Sequence, residues 1–517
     1  MRARPVVLVL CAMCAMATSV TADEPAAGSI RMSADRLDLV IGLEGASPVV
    51  WRVCSPSCAG AAAGSSASVR LVGDGDPPVI QLILRGVEPP VDLQRLRFTA
   101  SPGSEEGRRV TTLQADLPVP GVRFVKSFEA SQEGYELVMT ARMVGPNAAA
   151  FMSGRRLELE LGAGRGLLPL PAAGFAALLE RTSRVIVAHD AVRVIGDDIR
   201  EPTTLRAGDW MGFRSRFWTL LVRSGAAGHL EAGHGTGAAL RLSEEGPLAW
   251  RYTFYSGPLE HAALTRADPQ LGRLLFSGLW FWLRPLSFGL LWLLRGLTAL
   301  IGHPGVAIIA LAVSVKILLL PLTTVAEWLQ EQVNATQARI QPGLEAVKAA
   351  YRGEERTRRI LALYREEGVH PLYTLKSLAG LMLQLPVFVA VFDMLAEDFD
   401  LQRVPFLWIE DLSRPDALAP LPACVPFFGC DLNLLPFLMS IVSLATLLRF
   451  TSSVLTPSLV RRQRRNLIAV TTVFFLLFYT FPAGMVLYWT STNGFQLAAR
   501  ELGRLRAGRA ARAPASG

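Results

Sequence analysis

Pro304-Gly305-Val306-Ala307-Ile308-Ile309-Ala310-Leu311-Ala312-Val313-Ser314-Val315-Lys316-Ile317-Leu318-Leu319-Leu320-Pro321-Leu322-Thr323-Thr324-Val325 decides the fold. It is an apolar run of about 22 residues, long enough to cross a bilayer. Lys316 lies inside it. The chain holds four lysines against 48 arginines, and one of the four sits near membrane depth. A charge there costs at least about 2.5 kcal/mol even on lenient insertion scales. It persists if it faces a partner or a wet cavity. The membrane part of this chain is therefore expected to hold a polar surface inside the bilayer.

Outward from this run, hydropathy divides the 517 residues, of which 51% are hydrophobic, into two halves. Residues 23–265 contain no long apolar run, and residues 274–499 contain several. Residues 1–22 carry Arg2 and Arg4, then an apolar stretch, then Val20-Thr21-Ala22. That is the pattern of a signal peptide, with a retained N-terminal anchor as the alternative. Either one exports the soluble half. Leu10 before Cys11 argues against a lipobox.

Cys54/Cys58 and Cys424/Cys430 form two close pairs, both in segments placed outside the cytoplasm. An oxidising compartment makes them disulfides; free thiols are the alternative. No histidine neighbours either pair, so no metal site is expected.

The exported half alternates with period two, the mark of half-buried strands. Arg156 to Leu161 is the clearest case. Arg36 to Ile41, Val122 to Val125, Tyr135 to Met139 and Tyr252 to Tyr255 are similar. Turn residues separate them, so an antiparallel sandwich is expected over 23–265. Ala59 to Ser68 reads as a flexible loop. There is no nucleophile elbow, phosphate loop or HExxH pattern. His189-Asp190 reads as a turn between strands rather than an acid/base pair. No catalytic residue and no cofactor are expected.

In the membrane half, residues 274–301 carry Trp280, Trp282 and Trp292, with Arg284, Pro285 and Arg295 interrupting. Tryptophan prefers the interface, so an amphipathic interfacial helix is expected, with an extra transmembrane helix as runner-up. The core over 304–500 then has five spans. They are 304–325, Tyr373 to Leu395, Leu434 to about Ser453, Leu467 to Phe481, and a last one ending near Arg500. Residues 326–372 read as a helical hairpin in water, and 454–466 as a short basic loop. The segment 326–376 holds eight Lys/Arg, 454–466 four, and the tail from Arg500 five. The loop 396–432 has two arginines against seven acids. By the positive-inside rule the first three are cytoplasmic and the acidic loop is outside. The basic tail 501–517 stays in the cytoplasm. Leu467 to Phe481 is short for a hydrocarbon core of about 30 Å, which should thin the bilayer.

Polar residues in the other spans are candidates to answer Lys316. Trp489, Thr492, Asn493 and Gln496 share a helix face. Ser440 and Ser443 share another, and Gln384 lies in the second span. The serines have a plain alternative, bonding to their own helix carbonyls.

Lys316 before Pro321-Leu322-Thr323, Gln341-Pro342, Ala362-Leu363-Tyr364, Val369 to Leu372, Gln384-Leu385-Pro386-Val387-Phe388, Trp408-Ile409 with Asp411-Leu412, and Phe481 to Tyr488 occur in one order. Together they resemble the YidC family of membrane protein insertases. Gly208-Asp209-Trp210, followed by the strand-like Phe217 to Val222, resembles a landmark of the family's Gram-negative periplasmic domain. The resemblance implies a β-supersandwich related to sugar-mutarotase folds, without catalysis. It implies an inner-membrane, multi-pass protein with its N-terminal domain in the periplasm and its C-terminus in the cytoplasm. Implied partners are nascent membrane proteins, the Sec translocon, the ribosome, the signal-recognition-particle receptor and the lipid bilayer. Lysine at 316, His370 and the cysteine pairs depart from the family pattern, as a divergent paralogue with altered clients would.

The expected function is insertion of membrane proteins through a hydrophilic groove contacted by Lys316, Gln384, Ser440, Ser443, Tyr488, Trp489, Thr492, Asn493 and Gln496. The rival is a secondary transporter or channel using Lys316 as a substrate or proton site. Inverted repeats and broken helices would favour it, and the sequence shows neither.

Overall fold

The computed structural model describes residues 28–58, 67–73, 75–86, 91–101, 110–169, 171–189, 191–195, 203–232, 239–245, 248–370, 373, 378–449 and 457–510. The signal or anchor segment 1–22, most of the loop 59–68 and the last part of the tail lie outside them. The chain divides into two compact units. The first is Met1–Leu167, Gly196–Gly212 and Leu220–Gly257; the second is Leu168–Ile195, Phe213–Thr219 and Pro258–Gly517.

The first unit is β-rich. Ser29–Ser33, Leu37–Gly42, Pro48–Ser55 and Ala67–Val72 form one antiparallel sheet in chain order. A second sheet runs Thr203–Leu205, Gly228–Ala232, Ala239–Glu245, Arg156–Gly162, Ile80–Arg85. Ala249–Pro258, Glu136–Val144, Arg123–Ala130, Val110–Asp116 and Thr99–Ala100 pair antiparallel in that order. A short helix, α1 (Ala148–Met152), follows Glu136–Val144 in the chain. The period-two reading holds in Glu136–Val144, where Leu137, Met139, Ala141 and Met143 are buried between more exposed neighbours. Arg156–Gly162 departs from it at Glu158, whose carboxylate is paired and covered by two arginines. Glu158 is buried there and accepts from Arg85 at 3.0 Å and from Arg156 at 3.1 Å. Cys54 and Cys58 form a disulfide.

One inward position of Arg123–Ala130 carries a lysine. Lys126 is 1% exposed between Phe124 and Phe128. Its Nζ donates to the Gly45 carbonyl at 2.6 Å and the Ala46 carbonyl at 3.2 Å. The Phe98 and Phe124 rings lie over it at 5.4 and 5.8 Å. No carboxylate pairs with it among the described residues, so desolvation pushes its pKa down from 10.5 to about 7.

The second unit holds the hairpin Ser183–Val187/Val192–Ile195, with His189 in its turn as expected, and the helices. These are α2 (His261–Ala267), α3 (Arg284–Ile301), α4 (Pro304–Leu318), α5 (Leu320–Ala350), α6 (Gly353–Glu366), α7 (Leu378–Glu397), α8 (Leu435–Arg449), α9 (Pro457–Phe478) and α10 (Ala483–Ala510). Four boundaries differ from the sequence reading. The stretch 274–301 is α-helical from Arg284 onward, where Pro285 fits a first turn that has no use for its missing N–H. The run 304–325 is two helices, α4 and α5, bent by 60°. Pro321 stands at the start of the second one. The hairpin's first arm is therefore the continuation of α5 to Ala350. The basic stretch 454–466 is helical from Pro457, and α10 runs past Arg500 to Ala510.

Five core spans were expected. By length and apolarity, α3 qualifies among the described residues, and so does the bent pair α4–α5 taken as one. The apolar part of α8, Leu435–Thr446, is shorter. Arginines at the start of α9 and polar residues along α10 dilute those helices.

The buried lysine has a pH consequence. Between about pH 7 and 10.5 the unfolded chain holds a proton that folded Lys126 has lost. Stability should therefore rise with pH across that window, by at most about 1.4 kcal/mol per unit. Thermal unfolding of the full chain across this range should show the slope, and Lys126→Met should flatten it. Identical pH profiles for the two proteins would refute this account of Lys126.

Candidate functional site

Lys316 lies in the last turn of α4, where the Leu319 amide donates back to the Val315 carbonyl at 3.0 Å. The C-terminal end of the helix dipole favours a cation there, by about 0.3–1 kcal/mol. One face of α4 (Ala307, Ile308, Leu311, Ala312 and Val315) is buried. Lys316 is half-buried beside that face, and it opens onto two cavities. The larger, of about 410 Å³, is lined by Lys316, residues of α5 including Thr323, Glu327 and Gln330, Gln384 of α7, and Phe495, Gln496 and Arg500 of α10. The smaller, about 20 Å³, has room for a single water. Lys316, Thr323, Gln384, Tyr488, Trp489 and Thr492 are among its lining. No carboxylate forms an ion pair with Lys316 among the described residues.

The candidate residues fall into two groups. Lys316, Gln384, Tyr488, Trp489, Thr492 and Gln496 meet at these cavities. Ser440, Ser443 and Asn493 are outside both linings among the described residues. The Ser440 and Ser443 hydroxyls donate to the Pro436 and Met439 carbonyls at 2.9 and 2.8 Å, which is the plain alternative for serine. Ser443 also accepts from Asn493 Nδ2 at 2.8 Å, tying α8 to α10. Trp489 is less a free surface than a wall. Its ring sits among Phe388 and Phe392 of α7 and Phe474 and Phe478 of α9, at 5.1–6.3 Å. Thr323, Glu327, Gln330 and Arg500 were not singled out from the sequence. Arg500 follows Gln496 by four residues, so it continues the Trp489–Thr492–Gln496 face.

The acidic loop fixes the helix ends that frame the site. Asp416 accepts from the Leu434 and Leu435 amides at 2.8 and 2.9 Å and from Trp408 Nε1 at 3.0 Å. It thereby pairs two of the amides that the start of α8 leaves open. The Leu412 and Arg414 carbonyls accept from the Gly484 and Ala483 amides at 2.9 and 2.7 Å, doing the same for α10. Gly484 allows this close approach: a Cβ there would lie 3.2 Å from the Leu412 oxygen. Arg295 of α3 pairs with Asp398 at 2.6 Å and also with Asp400. Burial pushes the Asp398 carboxyl up to about 6 despite that arginine. Cys424 and Cys430 close the loop's hairpin as a disulfide.

With this geometry in place, the comparisons with known proteins become informative. Residues 296–503 match the family model described as 60Kd inner membrane protein. A membrane protein insertase YidC of Syntrophobacter fumaroxidans is 28% identical over 76% of this chain and 70% of its own length. The chain is similar to the YidC family of membrane protein insertases. The description of the matching family model refers to the inner membrane. The Shewanella loihica YidC is 30% identical over 46% of this chain and 40% of its own length, so the chain spans well under two thirds of that relative. Among solved structures, an active YidC insertase matches over 92% of both chains at 17% identity and a TM-score of 0.35.

Water in the larger cavity is directly measurable. Cysteine placed at 316, 323 or 496 should react with a charged, membrane-impermeant maleimide. Leu318→Cys, whose side chain is 73% exposed on the apolar outside, should react at least about tenfold more slowly, because acyl chains exclude the thiolate the reagent needs. Equal rates at all four positions would mean that the cavity is not a distinct aqueous space.

Proposed function

We propose that this chain inserts nascent membrane proteins through the cavity around Lys316. One observation carries the proposal: polar side chains from α4, α5, α7 and α10 converge on that space in a membrane unit. Lys316 keeps the cavity hydrated and attracts acidic residues of a client's translocating tail. The client's apolar segment slides along the outer helix surfaces into lipid, driven by burial at about 25 cal/mol per Å². Exposed Leu318, Ile441, Ile468 and Val473 supply such surfaces. The aromatic cluster around Trp489 closes the far end. Nothing is covalently transformed, and no catalytic group is required.

The same proposal takes in the architecture. The helices make five core spans, of which α4–α5 is the first and is bent. α9 and α10 follow the short-span pattern, which thins the bilayer. The β-rich unit is a periplasmic β-supersandwich, consistent with its three antiparallel strand sets. The α5–α6 hairpin and the C-terminus lie in the cytoplasm. The arginines of α9 and the tail meet anionic lipid or the ribosome, and the Sec translocon and signal-recognition-particle receptor are further partners. The transporter alternative gains one observation, the 60° break after Leu318. It lacks the inverted repeat that gives such breaks their meaning in transporters.

Substitution at Lys316 separates the possibilities. In a strain depleted of its own insertase, Lys316→Arg should support insertion of clients with acidic tails, and Lys316→Glu should abolish it. Normal insertion by Lys316→Ala would show that the charge is dispensable.

A further inference from the structure

We propose that Arg500 is a second client-binding cation, an outer station that Glu327 occupies until an acidic client displaces it. The inference rests on the groove reading and adds a specificity element to it. Arg500 Nη2 lies 3.2 Å from Glu327 Oε1, across the same cavity that holds Lys316. The two stations differ in depth. The Arg500 and Glu327 side chains are 37% and 60% exposed, whereas Lys316 is half-buried. Arg500 extends the Trp489–Thr492–Gln496 face by one turn, and Glu327 lies on α5, beyond the break that follows Lys316.

Charge completes the argument. Among the described residues, the charged side chains lining this cavity are Lys316, Arg500 and Glu327. Cations exceed acids by one, so a single client carboxylate neutralises the space. A guanidinium donates to a carboxylate in a two-pronged geometry that an ammonium cannot match. Glu327 stands where that carboxylate would go. An ion pair this exposed contributes little net stability, so an incoming acid exchanges with Glu327 at almost no loss. The freed client acid can then move inward to Lys316. A neutral tail offers nothing to displace Glu327.

The test uses the full-length chain in proteoliposomes and a single-spanning client. The client carries one Asp in its translocated tail, or Asn at the same position, next to a photocrosslinker. Arg500→Gln should slow initial capture of the Asp client several-fold and leave the Asn client unchanged, which also shows that the variant is folded. Arg500→Lys should restore most of the rate, and Glu327→Gln should speed capture of the Asp client. The proposal is overturned if Arg500→Gln slows both clients alike, if it affects neither, or if Glu327→Gln slows the Asp client. A parallel Lys316→Gln arm distinguishes the failures. Loss of the Asp client there with indifference at Arg500 removes the outer station alone. Indifference at Lys316 removes the groove reading and this inference with it.

Discussion

A cation in an apolar helix cannot be satisfied by apolar packing, and the helices around Lys316 are arranged around that fact. Lys316 needs hydrogen-bond acceptors or water, and an apolar α4 offers neither along its sides. The chain meets the need by ending α4 less than a turn later. The end turns the following helix away by 60°. The divergence of α4 and α5 opens the space that Gln384, Gln496 and Thr323 line. The helix break is thus part of the site. A straight helix over 304–325 would carry Lys316 with no such opening beside it.

An open polar space between helices would loosen the bundle unless the helix ends were held elsewhere. The acidic loop performs this task. Asp416, itself buried, serves three donors at once: two amides at the start of α8 and the Trp408 indole. Asn433 donates to the Tyr479 carbonyl at 2.7 Å and accepts from the Ala417 amide at 3.0 Å, so α9 joins the same knot. Removing one member would leave other buried groups unpaired, at about 1–3 kcal/mol each. The Trp-Ile and Asp-Leu motifs of this loop, recognised as family marks, acquire a physical role: they place Trp408 and the Leu412 carbonyl within reach of the helix starts.

What could be read from residues alone followed their local physics. The turn at His189 and the cysteine partners are local statements, and the structure agrees with both; the strands form where alternation predicts them, but Leu37–Gly42 is buried throughout and Glu158 breaks the alternation of Arg156–Gly162. The break at Leu319 was missed because Ile317 to Leu322 is uniformly apolar, and a proline near a helix start leaves no polarity signal. The arginines at 461–465 suggested a loop by charge, although arginine is a good helix former. Arg500 was taken as the end of a span, so its place on the Trp489 face went unread. Asn493 was assigned to the groove by spacing, yet its neighbours on the helix cannot show that Ser443 of another helix will take its amide. That pairing is tertiary, and no periodicity encodes it.

The use of lysine is itself informative in a chain that otherwise favours arginine twelve to one. Lys126 and Lys316 both sit where few acceptors can reach. At Lys126 two backbone carbonyls and two aromatic faces are all that meets the ammonium among the described residues. An arginine would bring five donors in a rigid plane to the same pocket and leave several of them unpaired. At Lys316 the smaller cavity admits about one water, which suits a compact head with three donors better than a planar fork. Arg500 stands at the exposed mouth, where water satisfies whatever a carboxylate does not. The division of the two cations follows from exposure: the compact one belongs in the half-buried recess, and the forked one at the open mouth.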